Sequence, residues 1–232
     1  MSDALRQDLI DAGLILSAEG QGDFTRGHIS VRTSEDASTF LMKPHTFGFD
    51  EMTMDNIVVC DGEGNRVSGG PRHSEVFIHS EIFKVRPDVQ AIIHAHPVHA
   101  VALSATGQAV LPISQPAASF YDGVPYYTDT IDLIRSADMG AGVAKALGSC
   151  KAVLMRNHGV AVVGRSIAEA VILSLALENA CQIQLLCMAA GGAGQMFPPD
   201  DIQRLYDKIS RPDQFSINFE YLRRKVKAAQ HR

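Results

Sequence analysis

Two histidines spaced two residues apart follow an apolar stretch near the middle of the chain. His94 and His96 come after residues 89–93, whose mostly apolar, β-forming side chains predict a buried strand. Because successive side chains on a strand alternate between its faces, the two imidazoles are expected to point the same way. Neutral imidazole is a good ligand for zinc, manganese, iron and cobalt. The pair is therefore a candidate metal site, although two ordinary strand-end histidines would give the same motif.

A third histidine lies in a predicted turn in the second half of the chain. Lys151 to Met155 and Val160 to Val163 are predicted strands, and His158 lies in the short turn between them. A histidine held between two strands is well fixed, and Gly159 beside it lets backbone or a ligand approach closely. His158 is therefore a third candidate for the same chemistry.

A carboxylate and another histidine stand near the start of a predicted helix. Ser74 has the character of an N-cap, which places Glu75 in the first turn, where the helix dipole favours a negative charge. Glu75 and His79 are four residues apart and share one helix face. Both are candidate acid or base groups. The alternative is that Glu75 only satisfies the helix end and His79 packs on its flank.

The rest of the pattern predicts the elements that would hold these side chains. Helical spacing predicts a helix from Ser2 to Ala18 and a longer one from Ser166 to Met188, with Ser166 and Glu169 as a capping box. Pro97 is expected to end the central strand and to suit the first turn of a helix. Further predicted elements are strands at 28–33, 39–42, 56–60 and 66–68 and helices at 199–209 and 215–229. The glycine-rich segment 190–194 is the one candidate hinge.

Composition restricts the class of protein. The chain has 232 residues, of which 46% are apolar, enough for one substantial core, and we predict a single domain over residues 1–232. A net charge of −5 gives no footprint for nucleic acid or a membrane surface. No signal-peptide pattern is found and the longest apolar run contains Glu169 and Ser174, so a soluble cytoplasmic protein is expected. The four cysteines lack CxxC spacing and are predicted to be core thiols.

Several short motifs, taken together, resemble one known family. They are HAHP at 94–97, SE at 74–75, NHG at 157–159, GHISVR at 27–32 and TMDNIVVCDGEG at 53–64. Their order and spacing, over roughly residues 5 to 190, are similar to those of the class II aldolase and adducin family. The resemblance implies an α/β fold, a three-layer α/β/α sandwich around a mostly antiparallel sheet. It also implies a homotetramer with active sites between neighbouring subunits.

The resemblance further implies roles for the residues noted above. A divalent metal (zinc, manganese, cobalt or iron) would be held by the histidines matching His94, His96 and His158. The glutamate matching Glu75 would be an acid/base group and, in some members, a fourth ligand. Three histidines with open coordination positions suit Lewis-acid chemistry.

The positions where this sequence differs from the family pattern help to predict which reaction the protein catalyses. Sugar-phosphate aldolases read GN where this chain has Gly27 and His28, and SS where it has His73 and Ser74. Two imidazoles, with Arg72 next to one of them, suit a carboxylate or a flat aromatic acid better than a phosphate. The tyrosine that such aldolases use as proton donor has no evident match in residues 111–116. The chain is more similar to a branch that decarboxylates hydroxylated aromatic or pyridine dicarboxylates.

The leading prediction is thus a metal-dependent carbon-carbon lyase that decarboxylates a hydroxyaromatic acid. His28, Arg72, His73 and Ser74 would bind the substrate carboxylate, and Glu75 or His79 would return a proton to the ring carbon. Aldol cleavage remains an alternative because it also expels a carbanion stabilised by metal. An iron oxygenase on the same scaffold is a second alternative. A non-catalytic protein like adducin is a third, but that class is expected to lose its metal ligands.

Overall fold

The structure is a computed structural model that describes residues 3–34, 38–192 and 194–230. Its strands are β1 (His28–Arg32), β2 (Thr39–Met42), β3 (Val58–Asp61), β4 (Arg66–Ser68), β5 (Ala91–Ala95), β6 (Tyr126–Tyr127), β7 (Ala152–Met155) and β8 (Gly159–Gly164). Its α-helices are α1 (Asp3–Ala18), α2 (Val76–Val85), α3 (Val98–Thr106), α4 (Gln115–Ala118), α5 (Ala137–Leu147), α6 (Ile167–Ala189), α7 (Pro199–Ile209) and α8 (Pro212–Gln230). A 3₁₀ helix covers Phe49–Glu51.

The strands form one mixed sheet in the order β4-β3-β2-β1-β5-β8-β7-β6. Neighbouring strands are antiparallel except β6 and β7, which are parallel. The central strand β5 is buried along its whole length, as its run of apolar and β-branched residues predicts. In the sheet register His28 lies opposite His94, and Ala95 lies opposite Val160. These pairings bring β1, β5 and the β7–β8 turn together at one end of the sheet.

Helices flank the sheet, and the two neighbours Ile92 and Ile93 of β5 pack into different hydrophobic clusters. Ile93 packs in a cluster with residues of α1, α6 and α8, whereas Ile92 packs in a cluster with residues of α2 and α5. The separation follows from the alternation of side chains on a strand. The predicted α/β fold with a mostly antiparallel sheet is confirmed. Its three-layer arrangement and its single-domain organisation stay predictions.

Two predicted helix starts need correction. Helix α2 has Glu75, and not Ser74, as its N-cap residue, and Pro97 is the N-cap residue of α3 and lies just before its first turn. At α6 the predicted cap is confirmed, because Ser166 Oγ accepts a hydrogen bond from Glu169 N at 3.1 Å. The Glu169 carboxylate, however, accepts from Arg165 N, so the capping box is shifted by one residue.

Helix α6 is, within the described residues, the one helix long and apolar enough to cross a membrane by length and composition. In this fold it packs against β8, α1, α3 and α8, as the core helix of a folded domain does. Its composition is therefore weak evidence for a membrane span. Cys181 of this helix and Cys60 of β3 are buried thiols, as predicted, and burial raises the pKa of each to about 12. Cys150 and Cys187 are only partly buried, so the prediction of core thiols does not hold for them.

Candidate active site

Three imidazoles meet at the end of the sheet where β5 and the β7–β8 turn lie together. His94 is the last residue but one of β5, His96 directly follows the strand, and His158 lies in the turn. One ring nitrogen from each lies within 4.8 Å of the others, and His94 Nε2 is 3.1 Å from His96 Nε2. We call these three residues the histidine floor.

The glycine after His158 is required by the close packing of this turn. A Cβ atom on Gly159 would lie 2.5 Å from Ala95 O and 2.6 Å from His96 Cδ2, so any other residue would displace the histidine floor. Asn157 takes a left-handed backbone conformation with φ of 60°, and its N–H donates to Ser104 Oγ at 3.0 Å. The NHG motif thus supplies the left-handed conformation and the absence of a side chain that this turn requires.

Hydrogen bonds to the far ring nitrogens fix the tautomers of two floor histidines. His94 Nδ1–H donates to the carbonyl of Val160 at 3.0 Å, and His96 Nδ1–H donates to the Asp23 carboxylate at 3.1 Å. Since carbonyl and carboxylate oxygens only accept, both Nε2 atoms carry lone pairs. Two lone pairs that face each other at 3.1 Å repel unless a cation lies beside them. This arrangement fits a metal centre with oriented imidazole ligands.

The third floor residue supports the same interpretation. Both ring nitrogens of His158 are buried and have no hydrogen-bond partner within the described part of the chain. Buried polar atoms without a hydrogen-bond partner destabilise the folded protein unless a further group, such as a bound ion or ligand, interacts with them. Burial also lowers the pKa of His94 well below its usual value and lowers the pKa values of His96 and His158. The imidazoles are therefore neutral near pH 7, the form that binds a metal.

Glu75 lies against the histidine floor from the N-terminus of α2 and is buried. Its Oε2 is 3.9 Å from His94 Nε2, and its Oε1 is 3.8 Å from His158 Nε2. Oε1 also accepts a hydrogen bond from Ile134 N at 2.9 Å, which orients the carboxylate. From this position Glu75 can act as an acid/base group beside a bound substrate or approach a metal on the floor.

A cavity of about 630 Å³ opens above these groups. Its lining combines two residues of the floor with cationic and apolar side chains, and consists of Asp23, Thr25, Arg26, His45, His73, Ser74, Glu75, His96, Val98, Val101, Ala102, Ile131, Leu133, Arg135, Asn157 and His158. Arg26 and Arg135 are exposed at the wall beside His45, and we call the two arginines the cationic rim. A cavity of this size, with apolar walls and a few polar groups, is typical of small-molecule sites.

Residues 7–185 match the family model for the class II aldolase and adducin N-terminal domain. The chain belongs to this family. It is 34% identical over 186 residues to 4-hydroxy-3-prenylphenylpyruvate oxygenase/4-hydroxy-3-prenylbenzoate synthase of Streptomyces roseochromogenus subsp. oscitans, covering 79% of this chain and 66% of that protein. It is 30% identical over 217 residues to 3,4-dihydroxyphthalate decarboxylase of Arthrobacter keyseri, covering 87% and 86%. The predicted family is therefore confirmed, and this decarboxylase agrees with the predicted branch.

The fold is similar to that of a sugar-phosphate member of the family. L-fuculose 1-phosphate aldolase from Glaciozyma antarctica PI12 superposes with a TM-score of 0.86 at 28% identity, covering 98% of this chain and 90% of that one. The class II aldolase fold is thus shared across nearly the whole described chain. Overall shape does not separate decarboxylases from aldolases, so the side chains around the cavity must do so.

The structure places some of the substrate-binding residues predicted from this family's pattern at the cavity and others away from it. His73 and Ser74 line the cavity. Arg72 does not: its guanidinium lies 5.6 Å from the centre of the Phe77 ring, and Nη1 donates to His73 O at 3.5 Å. Arg26 and Arg135 are the arginines that line the cavity, and the role of Arg72 in holding the substrate carboxylate stays a prediction.

His28 and His79 also lie away from the cavity wall, inside the protein. Both are fully buried and hydrogen-bond to each other, with His28 Nδ1 at 2.6 Å from His79 Nε2. His79 Nδ1 in turn lies 2.5 Å from Ser30 Oγ. Neither residue is among those that line the cavity, and the predicted roles of His28 in substrate binding and of His79 as a proton donor stay predictions. His28 Nε2 instead faces Glu75 Oε2 at 3.9 Å.

Sequence reasoning missed residues that lie on loops. Asp23 and Arg26 stand in the segment that follows α1, and Arg135 directly precedes Ser136, the N-cap residue of α5. Asp23 Oδ2 contacts His96 Nδ1 at 3.1 Å and Arg26 Nη1 at 3.6 Å, so it joins the histidine floor to the cationic rim. A cluster of charges in a loop after a helix was the only available signal, and it is a common feature of surfaces.

A buried lysine fixes the loops that carry part of the rim. Lys43 Nζ donates to the carbonyls of Thr25 and Pro44, each at 3.1 Å, and to that of Phe47. Burial lowers the pKa of Lys43 to about 8. Three carbonyl partners offset part of the cost of burying the amine. The contacts tie the Thr25 loop to the loop that bears His45.

Proposed function

We propose that this protein is a divalent-metal-dependent carbon-carbon lyase that decarboxylates a hydroxylated aromatic or heteroaromatic mono- or dicarboxylic acid. One observation carries the proposal. The cavity is lined by neutral imidazoles with a carboxylate beside them, by two arginines and by aliphatic side chains. A planar acid that carries both oxygen groups and a carboxylate matches this combination of groups.

His94, His96 and His158 are the residues that would hold the metal, with Glu75 within reach as a further ligand. Zinc, manganese, cobalt and iron all accept such a set of donors. When bound, the ion would supply Lewis-acid stabilisation of negative charge on the substrate oxygens. Family members are typically dependent on a divalent metal, and the histidine floor of this chain fits that requirement.

The cationic rim would recognise a substrate carboxylate. Arginine presents a planar set of donors that pairs with a carboxylate through two hydrogen bonds. Arg26 and Arg135 line the cavity and would take this role in place of Arg72, which lies outside the lining. His73 is fixed, because its Nδ1 accepts from Glu75 N at 3.3 Å, and it helps to shape the wall with Ser74.

The apolar part of the wall suits the ring of the substrate. Val98, Val101, Ala102, Ile131 and Leu133 line the cavity. Aliphatic side chains of this kind pack against the faces of a planar ring and exclude water. A bound sugar phosphate would instead place its polar hydroxyl groups against these apolar side chains.

Glu75 is the group that would move the proton. In the proposed reaction the substrate hydroxyl gives its proton to the Glu75 carboxylate, and Glu75 delivers that proton to the ring carbon bearing the carboxylate. The bond from this carbon to the carboxylate then breaks, and carbon dioxide leaves. The electron pair of the bond restores the aromatic ring as a phenolate, which takes a proton from solvent on release.

Two further expectations belong to this proposal. A homotetramer with active sites near subunit interfaces is supported by exposed apolar side chains close to the cavity, namely Phe24, Val98, Ile131 and Leu133. A monomer in sedimentation at micromolar concentration would contradict it. Cytoplasmic localisation is the second expectation, and fractionation of cells that express the protein would test it.

The experiment that tests the function compares two reactions on one preparation. Protein loaded in turn with zinc, manganese, cobalt or iron(II) would be incubated with 3,4-dihydroxyphthalate and, separately, with L-fuculose 1-phosphate. We expect carbon dioxide release from the aromatic acid without oxygen uptake, and slow cleavage of the sugar phosphate. Efficient cleavage of the sugar phosphate alone would favour the aldolase alternative. Iron-dependent oxygen uptake with an aromatic acid would favour the oxygenase alternative, as the name of the Streptomyces relative suggests.

A further inference from the structure

Three fully buried side chains form a hydrogen-bonded chain behind Glu75. Ser30 and His28 are two residues apart on β1 and so point to the same face, where His79 of α2 meets both. Ser30 Oγ is 2.5 Å from His79 Nδ1, and His79 Nε2 is 2.6 Å from His28 Nδ1. All three residues have no exposed surface. We call this set the Ser30 relay.

The serine sets the direction of every hydrogen bond in the Ser30 relay. His79 Nδ1 is the one hydrogen-bond partner that the structure gives Ser30 Oγ within the described residues, so the buried hydroxyl proton is donated there. His79 then accepts at Nδ1 and carries its proton on Nε2, which donates to His28 Nδ1. His28 in turn carries its proton on Nε2.

The assignment rests on the hydrogen-bond geometry of three fully buried groups, and neutral rings agree with it. Burial lowers the pKa of His79 to about 3 and that of His28 well below its usual value. Positive or ionisable groups surround His28 on several sides, including His73, His94 and Lys43, and each disfavours a charge on its ring. Each relay imidazole therefore has a single ring proton, which lies on either Nδ1 or Nε2.

The far nitrogen of His28 faces Glu75. His28 Nε2 is buried, has no hydrogen-bond partner within the described residues, and lies 3.9 Å from Glu75 Oε2. The other oxygen of Glu75 is held by Ile134 N. A small rotation of the carboxylate would bring Oε2 into hydrogen-bond distance, and catalytic contacts often shorten in this way when substrate binds.

The opposite tautomer would have a different consequence. His28, Glu75 and His94 form a second, fully buried group of ligand atoms within 4.8 Å of one another. With a lone pair on Nε2, His28 would become a metal ligand and the ion could occupy either of two overlapping positions. With a proton on Nε2, His28 is excluded from coordination and can only donate.

We propose that Ser30 and His79 set the tautomer of His28, so that His28 is a positioning residue that donates Nε2–H to Glu75 and is not a metal ligand. The effect on turnover rests on the function proposed above, whereas the tautomer and the metal stoichiometry do not. By donating to Oε2, His28 would hold Glu75 as an oriented carboxylate, ready to accept the substrate hydroxyl proton.

The direct test reads the tautomers by nitrogen NMR of zinc-loaded protein labelled with ¹⁵N-histidine. We expect both relay rings, assigned from the His28→Gln and His79→Gln variants, to carry the proton on Nε2. A proton on Nδ1 of His28, or a zinc-shifted Nε2 of that ring, would overturn the proposal. This result does not depend on any substrate, so it stands apart from the test of function.

Two variants of one position separate donation from coordination. The glutamine in His28→Gln can place an amide N–H near the former Nε2, whereas His28→Leu cannot donate. We expect both to bind as much zinc as the unmodified protein. With 3,4-dihydroxyphthalate as substrate, kcat of His28→Leu should be about ten- to a hundredfold lower than that of the unmodified protein, which corresponds to the loss of one charge-assisted hydrogen bond. In His28→Gln, kcat should return to near the unmodified value. KM should change little in both variants. Loss of zinc in either variant, or equal kcat losses in both, would contradict a donor role.

Discussion

The two ends of the cavity are built in different ways. The histidine floor stands at the end of β5 and in the turn beside it, and the ring orientations of His94 and His96 are set by Val160 O and Asp23. The cationic rim stands on loops, and its side chains are exposed. Strands deliver side chains at fixed positions, whereas loops tolerate change. The difference indicates that the chemical step and the choice of substrate can vary independently in this fold.

The two ends are nevertheless connected at a few points. Asp23 contacts both His96 and Arg26, and the backbone N–H of Ile134, next to Arg135, holds Glu75. A substrate that draws the rim arginines inward would therefore also act on groups at the floor.

The largest effect is expected from the floor itself. His94→Ala or His158→Ala should weaken metal binding by at least about a hundredfold and abolish measurable turnover, because a tridentate site loses one ligand. Metal per chain after dialysis, measured by elemental analysis, checks this. His99→Gln is a matched control, since His99 pairs with Glu178 on α6 and lies outside the cavity lining. Full metal occupancy in either alanine variant would contradict the assignment.

The next effect concerns the proton. Glu75→Gln should lower kcat by about a hundred- to ten-thousandfold, because it removes an acid/base group and keeps the shape. Metal content must be measured in the same variant, since Glu75 is within reach of the floor. Glu63→Gln, on the exposed side chain that pairs with Lys84, serves as the control. An unchanged kcat in Glu75→Gln would contradict the role of Glu75 as an acid/base group.

At the rim the expected effect is on binding. Arg135→Ala should raise KM for an aromatic dicarboxylate by about tenfold, since a charge-assisted contact is worth about 1.5 to 3 kcal/mol in a protected site and less at an exposed rim. Metal content should not change. Arg72→Ala should raise KM less, because Arg72 stacks on Phe77 away from the cavity. A larger KM effect at Arg72 than at Arg135 would support the prediction made from sequence.

The smallest effect concerns the stability of metal-free protein. His73 and His79 are buried, and burial lowers the pKa of each to about 3 in the folded state. The unfolded chain, with histidine pKa near 6.5, binds the extra protons, so stability is greatest above that value and falls as pH decreases toward 3. Between pH 7 and 6 the free energy of unfolding should decrease by about 0.7 kcal/mol for each such histidine. Denaturant titrations at the two pH values measure this, and an unchanged value would contradict the neutral assignment.

The floor could be anticipated from sequence because each part has a local signal. The HAH spacing on an apolar strand and the NHG turn both predict where imidazoles point, and the pairing of β5 with β8 then brings them together. The rim gave no such signal. Arg72 is next to His73 in sequence, but the backbone there turns its side chain onto Phe77. Outside helices and strands, the side chains of residues that are adjacent in sequence need not point toward the same site.

The same contrast holds for the fold. Long periodic elements such as α1 and α6 and the central strands were predicted, whereas α4, α5 and β6 were not. Helix α5 contains Gly140 and Gly142, which lower its helix propensity. Gly140 is needed for a tertiary reason, because a Cβ there would lie 2.3 Å from Phe77 O on α2. Close packing between distant segments cannot be inferred from a local pattern.

The central claim is that a metal on the histidine floor enables decarboxylation by this chain. The most direct test is to remove metal with a chelator, add back each candidate divalent ion in sub-stoichiometric steps, and measure carbon dioxide release from 3,4-dihydroxyphthalate against bound metal per chain. For at least one ion we expect activity to rise in proportion to bound metal and to level off near one equivalent per chain. Full activity in the chelated protein, or no carbon dioxide release with any ion at full occupancy, would contradict the account.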